Sequence, residues 1–527
     1  MSRCSQCGEL TIPKIEDSTA PDPVADISST AHHSRLLSTN EPPPEGPVLA
    51  YIHDVVSKTS LRLATVDKNI TDLRAHLKQL EDERSLLSDS LQKNISITSP
   101  LRRMPPEVLA EVFFWTLPEE YKEPAKIDQS PWVLGHICSR WRTIALSIPF
   151  LWSKFYIARA TDEPNLYPPL PMIETQIQRT RTLNIHFFGS ETGCSASQVE
   201  IFELLSKHSG RWEELSIQLT SALVPRLSAL QGRLHSLRKL WVQWDVEDSA
   251  EGVDSLECFQ SAPSLVDAGF VGEARFIPVL LPLHQLTVYR VDGPWKDHQE
   301  ALRAATNLIE ARIGLMYQRE PWPPSNDAVI DMLHLRRLSV SHFNILRALR
   351  APALVGICIN HVTSPTDGMT RELDAFFIRS PCTPQQLCFT GSIEASIAAE
   401  VLNKYPCIST CVFVFDEATQ FASTAFAAVT SMFARADTTP RLNQICIGSY
   451  EPFMIDYSGL LEMFEARRNA DQPLRKATVL MSGWAPDPAI IARLHALKRA
   501  GLDLSFGAEG PNHLNSWIYA APNFGVL

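Results

Sequence analysis

The residues closest to a chemical signature stand at the N-terminus. Cys4 and Cys7, followed by Gly8, have the spacing of one knuckle of a zinc site. A closed zinc site takes four ligands, and the chain has no second Cys-x-x-Cys. His32 and His33 could contribute, but two adjacent imidazoles point poorly at one metal. The expectation is a pair of thiols in an unstructured arm, with no metal bound. Cys382/Cys388 and Cys407/Cys411 fall beside or inside apolar strand patterns. Cys411 takes a core position of its pattern, so burial accounts for it. No Gly-x-x-x-x-Gly-Lys-Ser/Thr loop, Gly-x-Gly-x-x-Gly turn, His-Glu-x-x-His helix or Gly-x-Ser-x-Gly elbow occurs. The 15 histidines are scattered, and His235, His284 and His334 lie within or beside strand patterns. Triads assembled in space leave no motif, so an enzyme in the C-terminal half stays open as a third reading. The expectation is nevertheless no catalytic residue and no cofactor.

The bulk properties narrow the class. The chain has 527 residues, 45% of them hydrophobic and 20% charged, which are globular values. At ~150 residues per domain this length suggests about three units, or an extended repeat array. A net charge of -11 without a long Lys/Arg cluster argues against nucleic acid as a partner. Eleven irregularly spaced cysteines are too sparse for a disulfide scaffold. No apolar run approaches the roughly 18 residues of a membrane span. Cytoplasm, nucleus or both is the expected setting, with no membrane partner.

Four textures follow one another. Residues 1–58 are rich in Pro, Ser, Thr and Asp and read as a disordered arm. Over 60–97, heptad a positions fall at Leu63, Ile70, Leu77, Arg84 and Leu91, and d positions at Val66, Leu73, Leu80 and Leu87. This predicts a long helix, either lying on the next domain or pairing as a coiled-coil homodimer. Residues 99–157 read as a small helical bundle. Pro105-Pro106 opens one helix and Ser130-Pro131 restarts another; Trp132, Leu134, Ile137, Cys138 and Trp141 spread over the second.

From 170 to 506 a motif recurs with the form apolar-x-x-apolar-x-apolar. Its best copies are Trp212/Leu215/Ile217, Leu237/Leu240/Val242, Leu283/Leu286/Val288, Leu335/Leu338/Val340, Leu354/Ile357/Ile359, Ile408/Cys411/Phe413 and Leu442/Ile445/Ile447. The last pair of each copy reads as a short strand with one buried face. Helical patterns lie between copies, at Val199–His208, Leu460–Arg468 and Ile490–Arg499. The spacing predicts an α/β solenoid of divergent leucine-rich repeats. An ordinary α/β domain is the alternative. In a solenoid, Ser216, Gln218, Lys239, Gln243, Thr287, Tyr289 and Ser339 would face outward on the strand surface. Residues 507–527 form a tail.

The block SPLRRMPPEVLAEVFFWTL, a spacer, then WVLGHICSRWRTIALSIPFLW resembles an F-box domain. The Pro-Pro-Glu-x-Leu-x-x-x-Phe opening, the Ile-Cys-x-x-Trp-Arg centre and the Pro-x-Leu-Trp close match that family in order. A preceding heptad helix and divergent leucine-rich repeats are similar to the arrangement of fungal F-box-like proteins. The resemblance implies a non-catalytic substrate receptor of a cullin-RING ubiquitin ligase. Its F-box would hold the ligase adaptor, and through it a cullin, while the repeats hold a protein target. By motif position the adaptor-facing residues would be Met104, Pro105, Pro106, Val108, Leu109, Val112, Phe113, Leu134, Ile137, Cys138 and Trp141. Leu151 and Trp152 would close the bundle. Leu109 and Phe113 would act as knobs in the adaptor's groove. The other reading is a coiled-coil, leucine-rich-repeat interaction scaffold without a ligase.

Overall fold

The computed structural model describes residues 31–117, 128–157, 168–188, 196–244, 252–272, 276–314, 328–362, 368–391, 394–415, 420–435, 441–449, 455–469, 473–481 and 486–507. Cys4, Cys7 and the tail after Gly507 lie outside them. The chain divides into two compact units, Met1–Pro105 and Pro106–Leu527.

The first unit is helical: α1 (Ala31–Ser38), α2 (Pro47–Thr98) and α3 (Pro100–Arg103). Pro47 stands in the first turn of α2, where a missing N–H costs nothing. Ser99 ends α2, and its hydroxyl caps α3 by accepting from the Leu101 N–H. The helix therefore starts at Pro47 rather than at residue 60, and 47–58 is not part of a disordered arm. The physical reason is ordinary. Leu49, Ile52 and Val56 continue the same heptad upstream, and no Gly or Pro interrupts it. No residue of α2 is buried.

The second unit opens with α4 (Pro106–Trp115), α5 (Leu134–Ile137) and α6 (Ser139–Ser147), then a 3-10 turn at Pro149–Trp152. The single helix expected after Ser130-Pro131 is broken. Cys138 is extended (φ -160°), and its sulfur caps α6 by accepting from the Trp141 N–H.

The remainder is an α/β fold on one open parallel sheet. Its strands are β1 (Lys154–Ile157), β2 (Leu183–Phe188), β3 (Trp212–Leu219), β4 (Lys239–Trp244), β5 (Asp267–Val271), β6 (Val288–Asp292), β7 (Glu310–Gly314), then β9 (Arg337–Val340), β11 (Gly356–Val362), β12 (Gln386–Gly391), β13 (Thr410–Phe415), β14 (Gln444–Ser449), β15 (Lys476–Met481) and β16 (Asp503–Gly507). The two short strands β8 (Ile330–Asp331) and β10 (Leu349–Arg350) pair with each other instead. Among the described residues the main sheet has 14 strands, in strict sequence order. Helices on the connections include α7 (Leu170–Arg179), α8 (Ala196–Ser206), α9 (Val224–Ser228), α10 (Trp295–Ala304), α11 (Met369–Arg379), α12 (Ala395–Lys404), α13 (Gln420–Ala434), α14 (Tyr457–Arg468) and α15 (Pro488–Arg499).

Register explains the motif. Phe155, Ile185, Leu215, Leu240, Ala268, Tyr289, Ala311, Leu338, Ile357, Leu387, Cys411, Ile445, Ala477 and Leu504 form one row across the sheet. Ile157, Phe187, Ile217, Val242, Phe270, Val291, Ile313, Val340, Ile359, Phe389, Phe413, Ile447 and Val479 form a second row two residues on. All of these join one core with the connecting helices. Ladders begin one residue before several strands: the N–H of Ile309 donates to the Thr287 carbonyl, that of Arg336 to Ile309 and that of Val355 to Arg336.

Two boundaries differ from the sequence reading. Strand β1 comes from the end of the 99–157 block, so that block supplies the first strand of the sheet. In β6 the frame is Leu286/Tyr289/Val291, not Leu283/Leu286/Val288. Both frames fit the motif, and a shift of odd length exchanges the two faces of a strand. Tyr289 is consequently buried in the core, and Val288 takes the other face.

Candidate functional site

The helical bundle is built on large aromatics. Phe113 of α4 lies 4.8 Å from the Trp141 ring of α6. Trp152 donates its indole N–H to the Ala145 carbonyl at 2.9 Å and meets Trp132 edge-on at 5.1 Å. Arg179, the last residue of α7, lies 4.4 Å from the Trp152 ring and 4.9 Å from that of Trp132. Such a cation over aromatic faces is worth about 1–2 kcal/mol when desolvated. Gln176 donates to the carbonyls of Trp152 and Lys154. The bundle is thus bolted to the first strand of the sheet.

This packing sorts the expected adaptor-facing residues. Leu109 and Phe113 are fully buried, and Leu134 is 3% exposed. These three hold the bundle together and offer nothing to a partner, which corrects their assignment as adaptor-facing residues and that of Leu109 and Phe113 as knobs. Trp141 is half-buried against Phe113. Val108 and Val112 are 46% and 37% exposed, Ile137 is 53% exposed, and Pro106 and Cys138 are exposed. In the first unit Met104 is half-buried and Pro105 exposed. Leu151 and Trp152 are buried as closing residues. The ridge that α4 does present is Val108, Val112 and Trp115, at steps of four and three along one stripe. Trp115 is 73% exposed. Phe114 and Phe150, 5.6 Å apart, are a second exposed pair. Sequence reasoning missed Trp115, Phe114 and Phe150. An apolar residue three beyond Val112, outside the stripe containing Leu109 and Phe113, was the available signal.

The second face of the sheet is less open than expected. Ser216, Gln218 and Ser339 point away from the core yet are buried among their neighbours. Asn360 donates to the Ser339 hydroxyl at 2.7 Å and accepts from the Cys358 thiol at 3.0 Å. Cys358, Cys388, Val412, Val414 and Cys446 form a separate apolar cluster on this face. A Cβ on Gly269 would run into the Trp241 ring, so glycine there is what lets the indole lie across β5. Of the proposed outward residues, Lys239 is exposed, Gln243 and Thr287 are half-buried, and Tyr289 belongs to the core.

Charges on this face are organised across strands. Lys239 pairs with Glu214 at 2.6 Å. Arg290 bridges Asp267 at 2.7 Å and Glu310 at 3.3 Å, and Arg337 reaches Glu310 from the next strand. Arg312 pairs with Asp292 at 3.7 Å. Burial raises the Asp267 carboxyl above its usual range, outweighing the attraction of Arg290 and Lys239. Beside the ladder, Ile309 and Val355 are exposed apolar residues at strand starts.

A cavity of about 340 Å3 lies between β5, β6 and α10, lined by Phe270, Phe276, Leu283 and Val291 with Asp297 and Glu300. Among the described residues no group of three or more His, Cys, Asp or Glu side chains is placed to hold a metal ion. Among them, too, no helix is long and apolar enough to cross a membrane. No family model and no curated protein matches the chain.

Proposed function

We propose that the protein is the substrate receptor of a cullin-RING ubiquitin ligase. The bundle on Pro106–Trp152 is its F-box, and the strand-plus-helix array is a divergent leucine-rich-repeat solenoid. The adaptor docks on Val108, Val112, Trp115 and Ile137, and a protein target docks on the array. The observation that carries the reading is an uncovered apolar stripe on a helix whose neighbouring apolar stripe is sealed in the bundle. Small bundles rarely leave such side chains exposed without a partner. Sequence-ordered parallel strands, most of them followed by a helical connection, support the repeat assignment.

The test is co-purification of the full chain with the ligase adaptor. Val112→Asp combined with Trp115→Asp abolishes capture while circular dichroism and thermal melting stay near wild type. Wild-type chain that fails to capture the adaptor overturns the proposal, as does unchanged capture by the double variant. The competing reading, a repeat scaffold without a ligase, then stands.

A further inference from the structure

Helix α2 presents an apolar seam along nearly its whole length. Leu63, Leu73, Leu77, Leu87 and Leu91 are 61%, 60%, 57%, 63% and 62% exposed. With Leu49, Ile52, Val56, Val66, Ile70 and Leu80 they occupy a and d positions from 49 to 91, a stretch of about 64 Å at 1.5 Å per residue. A helix of 52 residues with none buried lacks the packing that normally stabilises helices. We propose that a second copy of this chain covers the seam, in a parallel, in-register, two-stranded coiled coil. This inference is independent of the ligase reading.

Charge placement selects the partner and its direction. In a parallel pair each g residue faces the following e residue of the other helix. Arg62 then meets Asp67 of the second copy, and His76 meets Glu81 of the second copy. Asn69 meets Arg74, and Glu83 meets Ser88. No like charges face each other at these edge positions; the two Arg84 side chains share one a layer of the seam. The one charged seam residue, Arg84 at a, lies beside the g residue Glu83 of the second copy, so its guanidinium finds a carboxylate at the edge of the seam. An antiparallel pair centred on Ala75 does the opposite. It sets Asp67 against Glu81 and Arg74 against Arg74. Leu73, Leu80 and Leu87 at d, with β-branched Val56 and Ile70 at a, suit two strands.

The test uses the full chain. Sedimentation at micromolar concentration gives twice the chain mass, and Leu73→Asp with Leu80→Asp gives the monomer. Arg84→Glu alone and Glu83→Arg alone each weaken the dimer by roughly tenfold, and the double exchange restores it. Leu63→Cys and Leu91→Cys each cross-link to themselves under mild oxidation, above the wild-type background. Asp89→Cys, on the opposite side of the helix, does not. A monomeric wild type overturns the proposal. So does a charge exchange no better than its single variants, or cross-linking at only one or neither of the two seam positions.

Discussion

At the scale of single residues the most informative group is His298. Its Nε2–H donates to the Gly314 carbonyl at 2.9 Å, and in the neutral ring its Nδ1 accepts from the Tyr289 hydroxyl at 2.9 Å. Burial is the main cause that pushes its pKa down to about 4, against backbone hydrogen bonds that raise it. The unfolded chain, with a histidine near ~6.5, takes up the proton first. Stability from this group is therefore complete above about pH 6.5 and is lost as pH falls toward 4, by roughly 3 kcal/mol in all. His298→Leu removes that pH dependence and strands the Tyr289 hydroxyl and the Gly314 carbonyl, at a cost of about 2–3 kcal/mol at pH 7. Urea titrations of both proteins at pH 7 and pH 5 check this; equal slopes with pH would exclude it. Arg290 is a parallel case. Arg290→Ala leaves Asp267 and Glu310 facing each other, both mostly buried, and costs roughly 3 kcal/mol. Because the pairs are short of solvent, 0.5 M salt reduces that difference only slightly.

At the scale of elements, α4 shows why faces must be separated before a site is read. Leu109 and Phe113 on one side are core, and Val108, Val112 and Trp115 on the other are free. Leu109→Ala costs about 3 kcal/mol through its cavity. Val112→Ala changes stability by less than ~0.5 kcal/mol. Thermal melts that reversed this order would mean the helix is packed the other way round. The sequence told that a helix begins at Pro106, because proline in the first turn is a local signal. It did not tell which of two adjacent apolar stripes is inward, since α4 is apolar nearly all round and only the packed bundle decides. The strand motifs were legible for the same local reason. Leu335/Leu338/Val340 and Ile408/Cys411/Phe413 fix their own parity by alternation. Strand β6 did not, because Tyr289 passes as either an inward or an outward residue. The buried second face was not legible either. Ser216, Ser339 and Cys358 are small enough to be covered by their cross-strand neighbours, and nothing in a single strand states who those neighbours are.

At the scale of the whole sheet, strict sequence order has an energetic consequence. Each strand pairs only with the strands before and after it, so stability is close to a sum of units and nearest-neighbour interfaces. The two ends are then unlike the middle. At the β1 end the backbone N–H of Asn184 donates to Ser153, and the Trp152, Arg179 and Trp132 stack closes the core. The bundle therefore closes the β1 end of the sheet. A charge buried at Ile313, in β7, severs an array that has strands on both sides. A charge at Leu504, in β16, disturbs one interface only. Ile313→Asp accordingly removes hydrogen-exchange protection from β5 through β11 and lowers global stability by about 4 kcal/mol or more. Leu504→Asp removes protection from β15 and β16 and leaves β2 to β7 as slow as in wild type. Mass-spectrometric exchange resolves the two patterns on the same peptides. Equal loss of protection across the sheet in both variants would show one cooperative core, and the additive picture would have to be abandoned.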